Sequence, residues 1–512
     1  MEKMNNHFNS LDMSAAEFRQ AGHVLIEQIA EFMEQLPAKK VTTGVKPAKI
    51  REILGNDPLP QHGDDTLNII EDATKLLFDH SLFNGHPKFW GYITSSAAPI
   101  GALADLLVSS VNPNVGAFTL SPMATEMERQ SVRWMAELIG YNIDCGGLFV
   151  SGGNMANFLG FLAGRKNKIS GDIRKEGLPL IPGKIKNLND ENIVEKKQFT
   201  IYCSKGTHTW IQKAADLFGH GTNSIRWIDI NDKQQLEIAT LRKVIEDDIQ
   251  SGHKPFLLVA NAGSVSTGVI DPLEKMASLC KEKNIWLHVD GAYGVPAASL
   301  TELKESFKGL ELADSIALDP HKWLYSPLEA GCILVKDPRH LHDAFSFNPE
   351  YYNFGGDGED APINFHEYGM QNSRGFRALK VWMSLKQVGR EGLNAMIRKD
   401  IHLAKKLFEL CEETENIEPF SQNLSITTFR YNPGNETIEF LNQLNEKLLN
   451  RLQTGGEVFL SNAIVNGNYC LRVCIVNFRT NYSDLETLVN VVLREGERIH
   501  KERSLELNKD VK

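Results

Sequence analysis

Trp286-Leu287-His288-Val289-Asp290-Gly291-Ala292-Tyr293 (286–293) begins as an apolar run and closes on a carboxylate followed by glycine. It reads as a buried strand with an acidic residue at its carboxyl end. Short β-like runs of the same kind recur at 148–151, 199–203, 224–228, 256–260, 315–318 and 332–335, with helical patterns between them. This alternation predicts a largely parallel sheet covered by helices, an α/β architecture.

An open parallel sheet gathers its ligands at the carboxyl ends of its strands, and four groups stand at such ends here. Leu318-Asp319-Pro320-His321-Lys322-Trp323-Leu324 ends an apolar run at an Asp-Pro turn. It presents Lys322, an amine able to form a Schiff base with a carbonyl cofactor. Asp290 is costly at a buried strand end unless it pairs with a cation, and a pyridinium nitrogen is such a cation; a helix N-cap is its other use. Phe149-Val150-Ser151-Gly152-Gly153-Asn154-Met155-Ala156-Asn157 runs from strand to helix through two glycines. The free N–H groups and the dipole of that helix make a phosphate seat. Ser204-Lys205-Gly206-Thr207-His208-Thr209-Trp210 offers an imidazole that can stack on a planar ring and hydrogen-bond a substrate carboxylate. Each alone has an ordinary structural use. Their recurrence at successive strand ends favours one shared site.

Around this centre, Phe18, Leu25, Ile29, Phe32 and Leu36 define one face of a helix that starts near Ser14 and stops at Pro37. That stripe has no compact core beside it in sequence, so the arm must pack on the main body or on a second copy of the chain. Residues 168–198, rich in Lys, Asn and Gly, read as a surface excursion, and 346–372, with Phe354, Gly355, Gly356, Asp357 and Gly358, as a long loop able to close over a site. Beyond Arg377 a smaller unit follows, with strand-like stretches at 426–430, 457–460 and 469–476 and helices at 437–452 and 483–499.

The 512 residues, 42% hydrophobic and 23% charged, suit a large globular protein of a few structural units. A balance of 55 basic against 65 acidic residues, without a basic stripe, argues against a nucleic-acid partner. The seven cysteines form no CxxC pair and no zinc-spaced cluster, which excludes a disulfide framework and predicts no metal. The polar start MEKMNNHFNSLDMS and the lack of a long apolar run predict a cytoplasmic protein without membrane insertion.

With seat, histidine, aspartate and lysine in this order, the sequence resembles the pyridoxal-phosphate-dependent group II amino-acid decarboxylases, and most closely those of the aromatic-L-amino-acid type. His86-Pro87-Lys88-Phe89-Trp90-Gly91, Leu120-Ser121-Pro122 with Thr125-Glu126, HVDGAYG at 288–294, DPHKW at 319–323 and NSRGFRALKVW at 372–382 carry the likeness. It implies a fold-type I, aspartate-aminotransferase-like homodimer: an N-terminal helical dimerisation arm (1–85), a large cofactor domain with a mostly parallel sheet (86–385) and a small C-terminal α+β domain (386–512). It implies pyridoxal 5′-phosphate as cofactor, joined to Lys322 as a Schiff base, with Asp290 on the pyridine nitrogen and His208 stacked on the ring. Gly153, Asn154 and His321 face the phosphate, Ala292 touches the ring, and Thr94 and Ser95 lie near the substrate.

Two departures stand out. The family's hydroxyl pair is replaced by Gly263-Ser264-Val265-Ser266, so Ser264 or Ser266 must serve the phosphate. A gap-free count from Arg374-Gly375-Phe376-Arg377 puts Phe365 where aromatic-amino-acid decarboxylases carry a proton-donating loop tyrosine; Tyr368 and His366 are the nearby replacements. The expected reaction is decarboxylation of an L-amino acid to its amine. The alternatives are an aldehyde-forming oxidative route, motivated by Phe365, an acidic or diamino substrate, and an inactive cofactor-binding homologue. Trp90, Tyr92, Ile93 and Phe118, without a cationic clamp beside them, favour an aromatic substrate.

Overall fold

The computed structural model describes residues 11–181, 184–186, 192–194, 197–347 and 362–510. Strands are β1 (Gly146–Val150), β2 (Lys184–Lys186), β3 (Asn192–Val194), β4 (Phe199–Ser204), β5 (Ile225–Ile228), β6 (Lys254–Asn261), β7 (Trp286–Asp290), β8 (Ser315–Leu318), β9 (Gly331–Val335), β10 (Ile417–Asn423), β11 (Ile426–Tyr431), β12 (Ser461–Val465) and β13 (Asn468–Cys474). The large sheet has the order β1-β9-β8-β7-β6-β4-β5. Only β9 opposes its neighbours, so β1, β8, β7, β6, β4 and β5 all end at one rim. Helices cover both faces, which is why β7, β8 and β9 are buried along their whole length and read as unbroken apolar runs.

A second, antiparallel sheet, β10-β11-β13-β12, packs under the helices Ile438–Gly455 and Tyr482–Asp510 with a core of its own. The helix Ala378–Glu413 serves both cores. It breaks at Gly389, whose φ of +64° is the left-handed conformation that glycine adopts at no steric cost. The arm helix Ala15–Gln35 starts in a capping box, with Glu17 N–H donating to Ser14 Oγ and Ser14 N–H to Glu17 Oε2. It pairs with the helix Thr66–His80 through a Phe32–Phe78 stack at 4.3 Å.

The mostly parallel sheet and its strand set agree with the expected fold, with local corrections in the small unit. The stretch 457–460 is not a strand: Phe459 makes only an isolated bridge with Phe89, and pairing with β13 begins at Ser461. β10 carries no strand signal because Pro419 interrupts it and forces a register shift before Ser421. The excursion at 168–198 holds the hairpin β2–β3. The centre of the expected loop, Phe354 to Gly358, lies outside the described residues. No helix among the described residues is long and apolar enough to cross a membrane.

Candidate active site

A cavity of about 470 Å³ opens at the shared rim, lined by Gly152, Gly153, Asn154, His208, Asp290, Ala292, His321 and Lys322. Each is there because a strand has just ended: β1 before Gly152, β4 before His208, β7 at Asp290 and β8 before Lys322. Gly152 takes φ +141° where the chain turns into the helix Gly153–Lys168, and no side chain caps that helix. Its first N–H groups therefore face the cavity without a protein acceptor from a cap.

Asp290 is fixed by Trp210 Nε1–H at 2.8 Å on Oδ2 and Ala292 N–H at 3.2 Å on Oδ1. His208 exposes its ring to the cavity, and Trp210 N–H donates to its Nδ1 at 3.3 Å, which leaves Nε2 to carry the proton of the neutral ring. Desolvation outweighs the attraction of Asp290 and lowers the His208 pKa. Burial likewise lowers that of His321, whose Nδ1 accepts Ala330 N–H at 3.1 Å.

Lys322 Nζ lies 2.9 Å from Asp319 Oδ2. Burial acts against its charge, but Asp319, with Asp290 behind it, outweighs burial and holds the ammonium above the ordinary lysine value. Asp319 is 1% exposed, and its Oδ1 is buried with no hydrogen-bond partner among the described residues. Sequence reasoning passed over Asp319 as a turn residue; its i, i+3 spacing to Lys322 was the available signal. Asn261 and Tyr293, which also line the cavity, carried none.

Other expected residues fall elsewhere. Ser264 and Ser266 line a neighbouring cavity of about 410 Å³, and Ser264 Oγ is engaged by Thr267 Oγ1 at 3.0 Å. From this segment Gly263 and Val265 line the cavity with Lys322, where the chain turns sharply, with Gly263 at φ +98° and Gly268 N–H closing on Ser264 O at 2.8 Å. Ile93 lines the cavity, but neither Thr94 nor Ser95 does; Ser95 Oγ donates to His321 O at 2.9 Å. Phe365 is core, 3% exposed, with the Arg374 guanidinium 4.9 Å over its ring. Tyr368 packs edge-on against His342 at 5.8 Å, and His366 Nδ1 sits 3.1 Å from Gly116 O. Trp90, 0% exposed, belongs to the small unit's core and donates to Thr480 Oγ1, and Phe118 is not among the lining residues.

A family model, the pyridoxal-dependent decarboxylase conserved domain, matches residues 47–432. The chain belongs to this family. An aromatic-L-amino-acid decarboxylase of Bacillus atrophaeus is 30% identical over 478 residues, 93% of this chain and 95% of the relative. A phenylacetaldehyde synthase of Petunia hybrida is 28% identical, covering 93% of each chain. The crystal structure of Catharanthus roseus tryptophan decarboxylase in complex with L-tryptophan superposes with a TM-score of 0.84 at 26% identity, over 95% of this chain and 99% of that one. This pyridoxal-dependent decarboxylase is thus a fold-type I carboxy-lyase acting on amino acids, in a group that holds both aromatic amino-acid decarboxylases and aldehyde synthases.

The cavity fits pyridoxal 5′-phosphate. An uncapped helix terminus suits a phosphate dianion, a fixed carboxylate suits a pyridinium, and the Lys322 amine lines the same cavity.

Proposed function

We propose that the protein decarboxylates an aromatic L-amino acid to its amine and carbon dioxide, with Lys322 as the residue that binds the cofactor covalently. The convergence of Lys322, Asp290, His208 and the helix terminus at Gly153 in one cavity carries this reading. When bound, pyridoxal 5′-phosphate supplies the sink for the electrons that the departing carboxylate leaves behind.

The chain's own residues do the rest. The N–H groups at Gly153 and Asn154 hold the phosphate, with His321 beside them. Asp290, its orientation locked by Trp210 and Ala292, keeps a proton on the ring nitrogen. His208, which lines the cavity and whose pKa burial lowers, would stack on the ring without competing for that proton. Asp319, 2.9 Å from Nζ, orients the Lys322 nitrogen and stabilises the positive charge it carries in the cavity.

The wall supports an aromatic substrate. Ile93, Val265 and Leu328 give it an apolar side, and among the described lining residues Lys322 is the only lysine or arginine, so an acidic side chain finds no partner. Phe365, buried under Arg374, gives the aldehyde route no support. Exposed Leu103, Leu106, Leu107 and Val111 on the helix Pro99–Val111, with Phe18, Ile26, Ile69 and Leu77 on the arm, support a homodimer. Seven free cysteines accord with a reducing, cytoplasmic setting.

Lys322→Ala should abolish both the visible absorbance of the bound cofactor and turnover; survival of both would overturn the assignment. Amine release over a panel of amino acids tests the substrate, and oxygen uptake with peroxide would replace the amine product by an aldehyde. A monomer in sedimentation velocity would refute the dimer.

A further inference from the structure

Asp400 lies on the helix Ala378–Glu413, beyond its break at Gly389, and is 0% exposed. Its Oδ2 accepts two donors, Trp323 Nε1–H at 3.0 Å and the Tyr325 hydroxyl at 2.6 Å. Oδ1 is buried with no hydrogen-bond partner among the described residues. No ion pair compensates it there; its neighbour Lys399 is exposed and donates to Phe478 O at 3.1 Å.

The two donors flank Lys322 on its carboxyl side, and the turn they stand on is not one the local sequence would hold unaided. Tyr325 has φ +57°, in the left-handed region that bulky residues avoid. Its N–H closes the turn on Lys322 O at 3.1 Å, and its carbonyl accepts Ala98 N–H at 2.8 Å. Trp323 stacks on Tyr293 at 4.9 Å, and Tyr293 lines the cavity. A single carboxylate oxygen therefore fixes both aromatic side chains of the turn that follows Lys322.

Stability alone does not account for this carboxyl. A buried acid without a cation is less favourable than an apolar residue of similar volume, so a core selected only for packing would carry leucine or methionine at this point. The site tolerates the acid because two neutral donors meet there. What they determine is the conformation of the lysine turn.

We propose that Asp400 is a positioning residue for Lys322: by accepting both Trp323 Nε1–H and Tyr325 O–H it sets the turn so that the lysine amine meets the cofactor carbonyl in one orientation. The proposal rests on the role of Lys322 proposed above. It joins the helix that leads into the small unit to the reacting nitrogen, through hydrogen bonds and without contact with substrate.

The test compares Asp400→Asn, Asp400→Leu and Tyr325→Phe in the full chain, and reads two signals besides turnover: thermal stability, and the rate at which visible absorbance returns when pyridoxal 5′-phosphate is added to the apo-enzyme. Asp400→Asn keeps an oxygen where Oδ2 lies, so recovery rate and kcat should stay within about threefold of wild type. Asp400→Leu removes the acceptor. It should slow recovery about tenfold or more and lower kcat by a similar factor, with KM within about twofold, because orientation is lost and binding is not.

Tyr325→Phe, which leaves the helix untouched, should show a smaller loss in the same two rates. Added to Asp400→Leu it should cost nothing more, since both changes break one unit. Wild-type recovery and kcat in a folded Asp400→Leu would overturn the proposal, as would losses that multiply in the double variant. If Asp400→Leu does not fold, Tyr325→Phe decides: an unchanged recovery rate refutes it and a slowed one supports it. Retention of absorbance and turnover by Lys322→Ala would instead overturn the reading of Lys322 itself.

Discussion

Two buried carboxylates brace the two halves of the cavity, and they do so by different electrostatics. On the seat side Glu128 meets Arg374, with side chains 0% and 1% exposed. Glu128 Oε1 also accepts Phe149 N–H at 2.9 Å, while Arg374 donates to Val115 O at 2.9 Å and to Phe149 O at 2.7 Å. The strand that delivers Gly152 is thus held on both backbone polar groups of one residue by charges that cancel. On the lysine side Asp400 has neutral donors only. The seat is held by a compensated pair, and the turn by a carboxyl whose own charge is left to vary. The two halves should therefore respond to mutation and to pH in different ways.

The largest effect is expected at the compensated pair. Arg374→Met leaves Glu128 buried without its cation, and Glu128→Gln leaves the Arg374 guanidinium buried without its anion; each should cost about 3–5 kcal/mol of stability in chemical denaturation. A loss below about 1 kcal/mol in either variant would mean that the pair is not held by charge.

At Asp400 the expected sign is the opposite. Burial outweighs the hydrogen bonds from Tyr325 and Trp323, the attraction of Lys399 and the backbone N–H of Asn477, and pushes its pKa up to about 7. Tyr293 and Tyr325 are pushed well above their ordinary values and Cys474 up to about 12, so they stay neutral in this range. The unfolded chain releases the Asp400 proton near the ordinary value of about 3.9, and the folded chain keeps it to about 7. Between those limits the folded state binds the extra proton, so the stability this group contributes falls as pH rises, by about 1.4 kcal/mol per unit, and is level above. Asp400→Asn lacks that loss. It should be more stable than wild type at pH 8, by up to roughly 3–4 kcal/mol, with the gain shrinking toward pH 5. Parallel stability curves for the two proteins across that range would refute the uncompensated charge.

The same contrast explains what the sequence reveals. Gly153, His208, Asp290 and Lys322 are readable because each stands just past a run of buried apolar residues, and a parallel sheet brings all such ends to one rim. The braces are not. Glu128 sits mid-helix, and Asp400 is far from Lys322 along the chain, on a helix whose pattern says only that it is amphipathic. Loop residues fail for another reason: which of Ser264, Val265 and Ser266 faces the cavity, and whether Phe365 faces it at all, depends on local chain direction that no periodicity records. A gap-free count carries a position through a loop but not its orientation.

Smaller changes probe each half without dismantling it. A Cβ on Gly153 would stand 2.6 Å from Asp319 Oδ2 and 3.3 Å from Ala292 Cβ. Gly153→Ala must therefore displace the carboxylate that holds Lys322, and overpacking of this kind costs about 1–3 kcal/mol, or about tenfold to hundredfold in cofactor affinity. A fluorescence titration of the apo-enzyme with pyridoxal 5′-phosphate measures it, and wild-type affinity would show that the seat and Asp319 are not in register.

Ser95 gives the mildest and most discriminating case. Sequence reading puts it near the substrate, whereas its hydroxyl donates to the carbonyl of His321 and it is not among the residues that line the cavity. Loss of one such hydrogen bond is worth about 1 kcal/mol, and a small-to-smaller change at a buried site leaves little strain. Ser95→Ala should therefore lower the melting temperature slightly and leave KM where it was, since nothing that meets the substrate has moved. A residue in contact with substrate gives the reverse pattern, with KM raised and stability kept. The ratio of the two changes thus decides whether this hydroxyl belongs to the wall's support or to its surface, and a KM effect larger than the stability effect would move Ser95 to the surface and require the Ile93 segment to be redrawn around the substrate.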